Sequence, residues 1–363
     1  MKKSDNKNKI INVALFISST LTSILLLEIS LQVVYLIRSG TWLSEDRAAF
    51  NIGYTAPVED RRQYSLRSGY VNEELGIVVN DQGFRGSLPP SDSKMIVTLG
   101  DSVPFGAGVK DKETYPAVLG QLLKDEYTSS HKISALNAGV PSYNFRQAYD
   151  RLQYDVLNLY DMEAILAITV QAANDMSLLT QYRQDWSPDR TWADVRWHNS
   201  WNTPSYSAIL HHLFLLTKPK KEQLQEKHES YSTTKMIQTL QSTLNNFEEF
   251  CSVNKIPIIL MPVDMFYYQT KNISQNQQLK RWDEFQPYVR IWDEIAKEIN
   301  HELLLSSERS DCVFFLDTRV ILDNLDRGLM YHDLIHYSPR GNKIVAESLL
   351  KFMRRQNLLA DSQ

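Results

Sequence analysis

Short apolar runs alternate with amphipathic stretches along most of the chain. Five runs rich in β-favouring residues occupy 94–100, 132–139, 163–170, 256–263 and 312–318. The stretches between them repeat their apolar positions with the period of a helix. This alternation predicts an α/β protein, a three-layer α/β/α sandwich around a mostly parallel five-stranded sheet. Ligands of such sheets bind beyond the carboxyl ends of the strands, so motifs at strand ends are candidates for function.

A long apolar stretch near the N-terminus stands apart from this pattern. Residues 10–27 include no charged side chain, and such a stretch extends about 27 Å as a helix. Apolar positions resume after Glu28 and no small-residue cleavage site follows, so an uncleaved transmembrane helix is predicted at 10–37. Four lysines in residues 1–9 outnumber the two arginines that closely follow the stretch. This imbalance favours a cytoplasmic N-terminal tail, with the remainder of the chain periplasmic or otherwise outside the cytoplasm.

Glu28 is the one carboxylate within this predicted helix. Two interpretations are open. An intramembrane carboxylate can pair with a basic residue of another protein, or it can lie near the outer headgroups.

The chain after this helix divides by composition. Residues 38–93 are polar and contain turn signals, so they are predicted to be a juxtamembrane spacer. The main domain is predicted at 94–356, with a tail at 357–363 and two insertions at 176–234 and 264–311. The first insertion holds four of the seven tryptophans. They are candidates for a small core of the insertion, a sugar-stacking wall or a shelf against the membrane.

Composition narrows the class of protein. Hydrophobic residues make up 43% of the chain and the formal net charge is -4, with no basic tract of the kind that binds nucleic acid. The two cysteines, Cys251 and Cys312, precede two predicted strands, and a single disulfide is one option in an exported domain. Two isolated cysteines do not form a metal site.

Ser102 follows the first predicted strand and is a candidate nucleophile. At the carboxyl edge of the sheet, near the start of a helix, backbone N–H groups can face a developing negative charge. The Gly-x-Ser-x-Gly elbow of α/β-hydrolases is absent, because Pro104 occupies the place of the second glycine.

A serine hydroxyl needs a base, and His336 is the strongest candidate. Asp333 precedes it by three residues, a spacing at which one turn brings carboxylate and imidazole together. Ser338 and Pro339 are predicted to be the N-cap and first residue of a helix that ends near Arg354 and fixes this loop. By contrast, the neighbouring His332 is predicted to have a packing or solvent-exposed role.

Two other strand ends offer donors for the oxyanion of an acyl-transfer intermediate. Gly139 ends the second predicted strand, where its N–H can approach a ligand without a Cβ in the way. Asn174 follows the third strand and carries a side-chain amide. The N–H of Ser102 is the third candidate donor.

Taken together, these motifs resemble the four sequence blocks of the SGNH (GDSL-type) hydrolases. The blocks are "GDS" at 100–102, Gly139, "AND" at 173–175 and "DxxH" at 333–336, and their order and strand-end positions match over about residues 94–353. The predicted anchor, "GFRG" and "GDSVPFGAGV" further resemble bacterial membrane-anchored members. Two departures are Ala172, where the family commonly has glycine, and Val-Pro-Phe-Gly after the serine.

The resemblance implies a role for each candidate residue. Ser102 would be the nucleophile, His336 the general base and acid, and Asp333 the carboxylate that orients the histidine. Ser102, Gly139 and Asn174 would form the oxyanion hole. No cofactor and no metal are implied.

The implied reaction is hydrolysis of a carboxylic ester by a membrane-anchored enzyme outside the cytoplasm. Acyl groups on cell-surface polysaccharide are the favoured substrate, and acyl lipids are the alternative. Two other functions remain open: transfer of an acyl group to or from a glycan hydroxyl by the same residues, and non-catalytic glycan binding or assembly on the same fold.

Overall fold

The computed structural model falls into two compact units, which are described separately. One comprises Met1–Gly53 with Arg196–His228, and the other comprises Tyr54–Val195 with Glu229–Gln363. The structure describes residues 2–39, 54–127, 132–172, 174–176, 207–210, 213, 233–264, 282–333 and 335–359.

The helices and strands are numbered in chain order. The strands are β1 Thr55–Pro57, β2 Tyr64–Leu66, β3 Val71–Asn72, β4 Ile77–Val78, β5 Lys94–Gly100, β6 Ile133–Gly139, β7 Ile165–Gln171, β8 Ile258–Leu260 and β9 Val313–Phe315. The helices are α1 Lys2–Ser39, α2 Ser102–Phe105, α3 Tyr115–Glu126, α4 Phe145–Arg151, α5 Leu157–Leu159, α6 Thr233–Asn254, α7 Trp282–Arg309, α8 Thr318–Asp323, α9 Arg327–Met330 and α10 Pro339–Arg355.

The main sheet confirms the fold predicted from the apolar runs. Strands β5 to β9 pair in the order β6-β5-β7-β8-β9, and every pair is parallel. Gly100 stands opposite Gly139 on one side and opposite Gln171 on the other. The carboxyl ends of β5, β6 and β7 are therefore level, so the loops that follow them leave the sheet at one edge.

Helices cover both faces of this sheet. Along β5, Val97 and Leu99 pack into one apolar cluster, whereas Ile96 packs into another on the opposite face. The first cluster includes side chains of α4, α6 and α7, and the second includes side chains of α3 and α10. The alternation of side chains along a strand thus places β5 in the middle layer of an α/β/α sandwich.

The last helix begins where the sequence predicts. The Ser338 hydroxyl accepts a hydrogen bond from the Gly341 N–H at 3.1 Å, and Pro339 follows as the first helical residue. A Cβ on Gly341 would lie 2.0 Å from the Met330 carbonyl oxygen, so glycine allows the helix to approach the preceding chain closely. This packing fixes the loop between Met330 and the helix.

Residues 54–93 differ from the predicted spacer. They form the hairpins β1/β2 and β3/β4 and belong to the same compact unit as the sheet. Phe84 is wholly buried in the core, and the Tyr64 hydroxyl donates to the Pro141 carbonyl at 3.1 Å. The folded unit therefore begins at Tyr54, and the boundary predicted at Lys94 is corrected.

The wholly buried Arg151 joins these hairpins to the sandwich. Its guanidinium donates to the carbonyl oxygens of Gly83 at 2.6 Å and Ala138 at 3.3 Å, and it forms an ion pair with Asp155. It also lies 4.7 Å from the ring centroid of Phe84. A charge removed from water in this way is tolerated only because every side of it has a partner.

The second predicted insertion is largely a regular part of the fold. Helix α7 connects β8 to β9 and contributes Ile295, Ile299 and Leu303 to the core. It is therefore the crossover helix that parallel strands require. The tryptophans of the first insertion, Trp186, Trp192, Trp197 and Trp201, lie outside the described residues, so the three hypotheses for them remain predictions.

The structure joins the two cysteines in a disulfide. Cys251 lies in α6 and Cys312 directly precedes β9. The bond connects a covering helix to the edge of the sheet across 61 positions of sequence.

Helix α1 contains the predicted membrane-spanning stretch. Among the described residues, Ile11–Val34 is the one helical segment that is long and apolar enough to cross a bilayer, and none of it is buried in protein. Its length and composition agree with the transmembrane helix predicted at 10–37.

Replacing the buried arginine should destabilise the sandwich strongly. We expect Arg151→Met to lower the free energy of unfolding by about 3–5 kcal/mol, because the carbonyl oxygens of Gly83 and Ala138 would lose their donor and Asp155 would keep only its pair with Arg62. Arg319→Met, at a more exposed pair with Asp317, should cost about 1 kcal/mol or less. Urea unfolding of the detergent-solubilised chain, followed by circular dichroism, measures both. Equal midpoints for the two variants would contradict the structural role of Arg151.

Candidate active site

Ser102 is held at the end of β5 by a tight turn. Gly100 has a φ of +137°, and a Cβ there would lie 1.7 Å from the Gln171 carbonyl oxygen, so only glycine fits between the two strands. Asp101 then caps α2, because its Oδ1 accepts the N–H of Val103 at 2.8 Å. Ser102 is thereby fixed as the first residue of α2.

The structure brings the three predicted residues of the nucleophilic site together. His336 Nε2 lies 2.8 Å from Ser102 Oγ, although the two residues are 234 positions apart in sequence. His336 Nδ1 lies 2.7 Å from Asp333 Oδ2. The other oxygen, Oδ1, accepts the backbone N–H groups of Ile335 at 3.0 Å and His336 at 2.9 Å. The carboxylate therefore holds both the ring and the backbone of the histidine.

These contacts shift the pKa values of Asp333 and His336. Burial alone would raise the pKa of Asp333, but the hydrogen bond and charge of His336 and two backbone N–H groups outweigh it and lower the pKa to about 2. For His336, burial would lower the pKa, but the hydrogen bond and charge of Asp333 and the charge of Asp101 raise it above the ordinary value. The site therefore favours a proton on His336 and stabilises the imidazolium.

The two ends of the loop that carries His336 pair with each other. Tyr331 and Tyr337 form an antiparallel bridge across its base. The Tyr331 hydroxyl donates to Asp264 Oδ2 at 2.5 Å, and Gln171 Nε2 donates to the Tyr337 hydroxyl at 3.1 Å. Because Asp264 follows β8 and Gln171 ends β7, these bonds place the loop at the carboxyl edge of the sheet.

His332 connects this loop to the loop that follows Ser102. A Cβ on Gly108 would lie 2.3 Å from His332 Cδ2, so the imidazole packs directly against this glycine. Of the two roles expected for His332, packing or solvent exposure, this contact agrees with packing.

Arg85 bonds the segment that follows the serine, and the sequence patterns did not predict this role. Its buried guanidinium donates to the carbonyl oxygens of Phe105 at 2.6 Å, Gly106 at 2.7 Å and Val109 at 2.7 Å. It also pairs with Asp111 at 2.7 Å. These carbonyls lie at the end of α2 and in the loop after it, where a cation is favourable. The "GFRG" motif between turn signals was the available clue.

The structure shows two close contacts at Gly139. Its N–H donates to Asn137 Oδ1 at 3.1 Å and so already has an acceptor. A Cβ at this position would lie 2.3 Å from the Phe105 backbone nitrogen. Glycine is needed here because α2 packs against the end of β6. The oxyanion-donor role of Gly139 stays a prediction.

Three residues further on, Ser142 has an unusual backbone. Its φ is +68°, which costs a residue with a Cβ about 1–2 kcal/mol. The loop is fixed beside the serine, because the Val140 N–H donates to the Gly100 carbonyl at 3.0 Å. Backbone strain of this kind concentrates at functional sites. This backbone conformation marks Ser142 as a candidate functional residue of the loop. The sequence did not indicate it, because the conformation favours glycine and the residue is serine.

Asn174 lies beside the serine turn, as predicted. Its Nδ2 donates to Asp101 Oδ2 at 2.9 Å, so the wholly buried Asp101 links the amide to the cap of α2. The next residue, Asp175, accepts the N–H of Phe145 at 2.9 Å, and burial raises its pKa to about 6. This contact at the start of α4 gives Asp175 a structural role.

Comparison with solved structures finds similarity to esterases and lipolytic proteins. The chain is 11% identical to a member of the lipolytic protein G-D-S-L family from Veillonella parvula, with a TM-score of 0.42 over 72% of this chain and 100% of that one. An acetyl xylan esterase from Geobacillus stearothermophilus is 16% identical, with a TM-score of 0.40 over 72% and 94%. A lipase/acylhydrolase from Enterococcus faecalis is 14% identical, with a TM-score of 0.41 over 72% and 96%. No family model matches the chain, and no curated protein does.

Proposed function

We propose that this chain is a serine hydrolase of the SGNH type that cleaves a carboxylic ester. The observation that carries the proposal is the continuous line from Ser102 Oγ through the His336 ring to Asp333, with separations of 2.8 and 2.7 Å. A histidine held by a carboxylate on one nitrogen and facing a serine with the other is the arrangement that activates a hydroxyl.

The geometry supports a role for each residue in the proposed reaction. With Nδ1–H donating to Asp333, neutral His336 presents the lone pair of Nε2 to Ser102 and takes its proton as Oγ attacks the acyl carbon. The tetrahedral intermediate then expels the alcohol, which receives that proton from His336. Water attacks the acyl enzyme with His336 again as base, and the carboxylic acid leaves as Ser102 regains its proton.

The developing oxyanion needs donors that are already in position. The Ser102 N–H is at the first position of α2, where no intrahelical acceptor exists. Asn174 supplies a side-chain amide that Asp101 holds beside this turn. For the third donor we assign the N–H of Ser142 in place of that of Gly139, because its loop is bonded to Gly100 and Gly139 already has an acceptor.

Location narrows the substrate within this proposal. Helix α1 would anchor the chain, and the lysines of residues 1–9 favour an N-terminus in the cytoplasm, with the sandwich outside. An anchored esterase there meets acylated cell-surface polysaccharide, which we propose as the substrate. Product analysis with a glycan acceptor distinguishes hydrolysis from transfer: free acid alone supports hydrolysis, whereas acylated acceptor would indicate transfer.

A fluorophosphonate probe should label Ser102 in the folded chain. We expect Ser102→Ala to abolish the adduct and His336→Ala to slow its formation by about 10²- to 10⁴-fold, since the base is lost. Ser307→Ala, on the exposed face of α7, is the matched control and should label normally. Mass spectrometry locates the adduct. Undiminished labelling of Ser102→Ala would refute the assignment of the nucleophile.

The rate of labelling should rise with pH. Only neutral His336 accepts the serine proton, and its pKa is raised, so the midpoint should lie above the ordinary histidine value of about 6.5. Asp333→Asn removes the charge that raises this pKa and should move the midpoint to lower pH, while slowing the reaction by about 10⁴-fold. Rate constants measured from pH 5 to pH 9 give both midpoints. An unchanged midpoint in Asp333→Asn would count against the pairing.

Arg85 should act as a positioning residue for the serine. The donors of lysine all lie on one nitrogen, whereas Arg85 bonds three carbonyls and Asp111 from three separate nitrogens. We therefore expect Arg85→Lys to lower the labelling rate by about 10- to 100-fold, the order expected for a shift of roughly 1 Å at a reacting group. The pH midpoint should stay unchanged. Arg309→Lys, at an exposed pair with Glu248, is the control. If Arg85 only stabilised the fold, less protein would label, but the intact fraction would react at the normal rate.

A further inference from the structure

Glu28 binds a distant part of its own chain. Its carboxylate accepts the Ser207 hydroxyl at 2.9 Å and the backbone N–H groups of Ala208 at 2.5 Å and Ile209 at 3.1 Å. All of these residues belong to the unit that contains α1. Neither sequence-based hypothesis for Glu28, a basic residue of another protein or the headgroups, describes this contact.

The contact satisfies polar groups on both sides. Ala208 and Ile209 open a helical turn, and the first N–H groups of such a turn have no partner within it. Glu28 accepts two of them, and the Ser207 hydroxyl accepts the Leu210 N–H at 3.2 Å. Gln32, one turn along α1, donates to the same carboxylate at 2.9 Å. An unpaired carboxylate and unpaired N–H groups at a helix start are each costly in an apolar medium. Here the N–H groups donate to the carboxylate, so both are satisfied.

The position of Glu28 along α1 sets the depth of this contact. Glu28 lies within the apolar span Ile11–Val34, about 9 Å from its C-terminal end at roughly 1.5 Å per residue. If α1 crosses a membrane, residues bonded to Glu28 lie at the same depth. The side chains of Leu210 and Leu213 are 42% and 54% exposed, which suits contact with lipid and not with water.

We propose that residues 207–210 and 213 enter the membrane beside α1, with Glu28 as their attachment point and Leu210 and Leu213 against lipid acyl chains. These residues would then be a second membrane attachment of the chain. This inference rests on the membrane anchorage included in the proposed function and is independent of the ester chemistry.

Depth-dependent quenching tests the proposal on the full chain in phosphatidylcholine vesicles. Single cysteines at Leu210→Cys and Leu213→Cys carry an environment-sensitive fluorophore, and the native cysteines are paired with each other. Phe16→Cys on α1 is the reference for a buried position, and Val320→Cys on α8 is the reference for the sandwich. Lipids with bromine on the acyl chain should quench positions 210 and 213 within about twofold of position 16, since all lie in an apolar layer ~30 Å thick. Position 320 should not be quenched.

Substitution of Glu28 identifies the attachment point. We expect Glu28→Ala to remove most of the quenching at position 210 and none of that at position 16, while Glu28→Gln, which keeps one acceptor oxygen, should fall between them. Quenching at position 16 but not at 210 or 213 would overturn the inference and leave the anchor standing. Absence of quenching at position 16 would overturn both. Quenching at 210 that survives Glu28→Ala would refute the role of Glu28, and fluorophosphonate labelling of the same samples tests the ester chemistry separately.

Discussion

The close approach of strands β5, β6 and β7 at one edge of the sheet is the constraint on which the candidate site depends. Gly100 stands level with Gly139 and Gln171, and a side chain at either glycine would overlap neighbouring backbone. Because the strand ends are level, three loops that are far apart in sequence leave the sheet together. Ser102 and Asn174 occupy two of these loops, and the loop after β6 lies between them in sequence.

The second requirement is a rigid support for loops that have little regular structure of their own. Buried arginines provide it on one side of the sheet edge. Arg85 bonds three carbonyls after the serine, and Arg151 bonds carbonyls of β6 and of the segment before β5. A neutral side chain donates too few hydrogens to satisfy so many acceptors, which explains why charge is buried here. The hairpins before β5 are therefore part of the support of the site.

Sequence patterns predicted the features that depend on periodicity and on short motifs. The five strands, the last helix with its Ser338 cap, and the pairing of Asp333 with His336 all follow from local order. The hairpins at 54–93 did not, because strands of two or three residues have no measurable period. The hydrogen bond from the Gly139 N–H to Asn137, two positions earlier, was not predicted either, because such competition between neighbours depends on side-chain geometry.

The aspartates around Ser102 have different roles because their surroundings differ. Asp333 accepts several donors and keeps its charge, whereas the buried Asp175 has its pKa raised to about 6. Asp101 has three effects: it caps α2, it accepts a hydrogen bond from Asn174, and it raises the pKa of His336. Its negative charge would oppose an oxyanion at Ser102 if it were not directed into the Val103 N–H and the Asn174 amide. The same two bonds orient the helix start and the amide, so one buried carboxylate both strengthens the base and fixes two of the proposed donors.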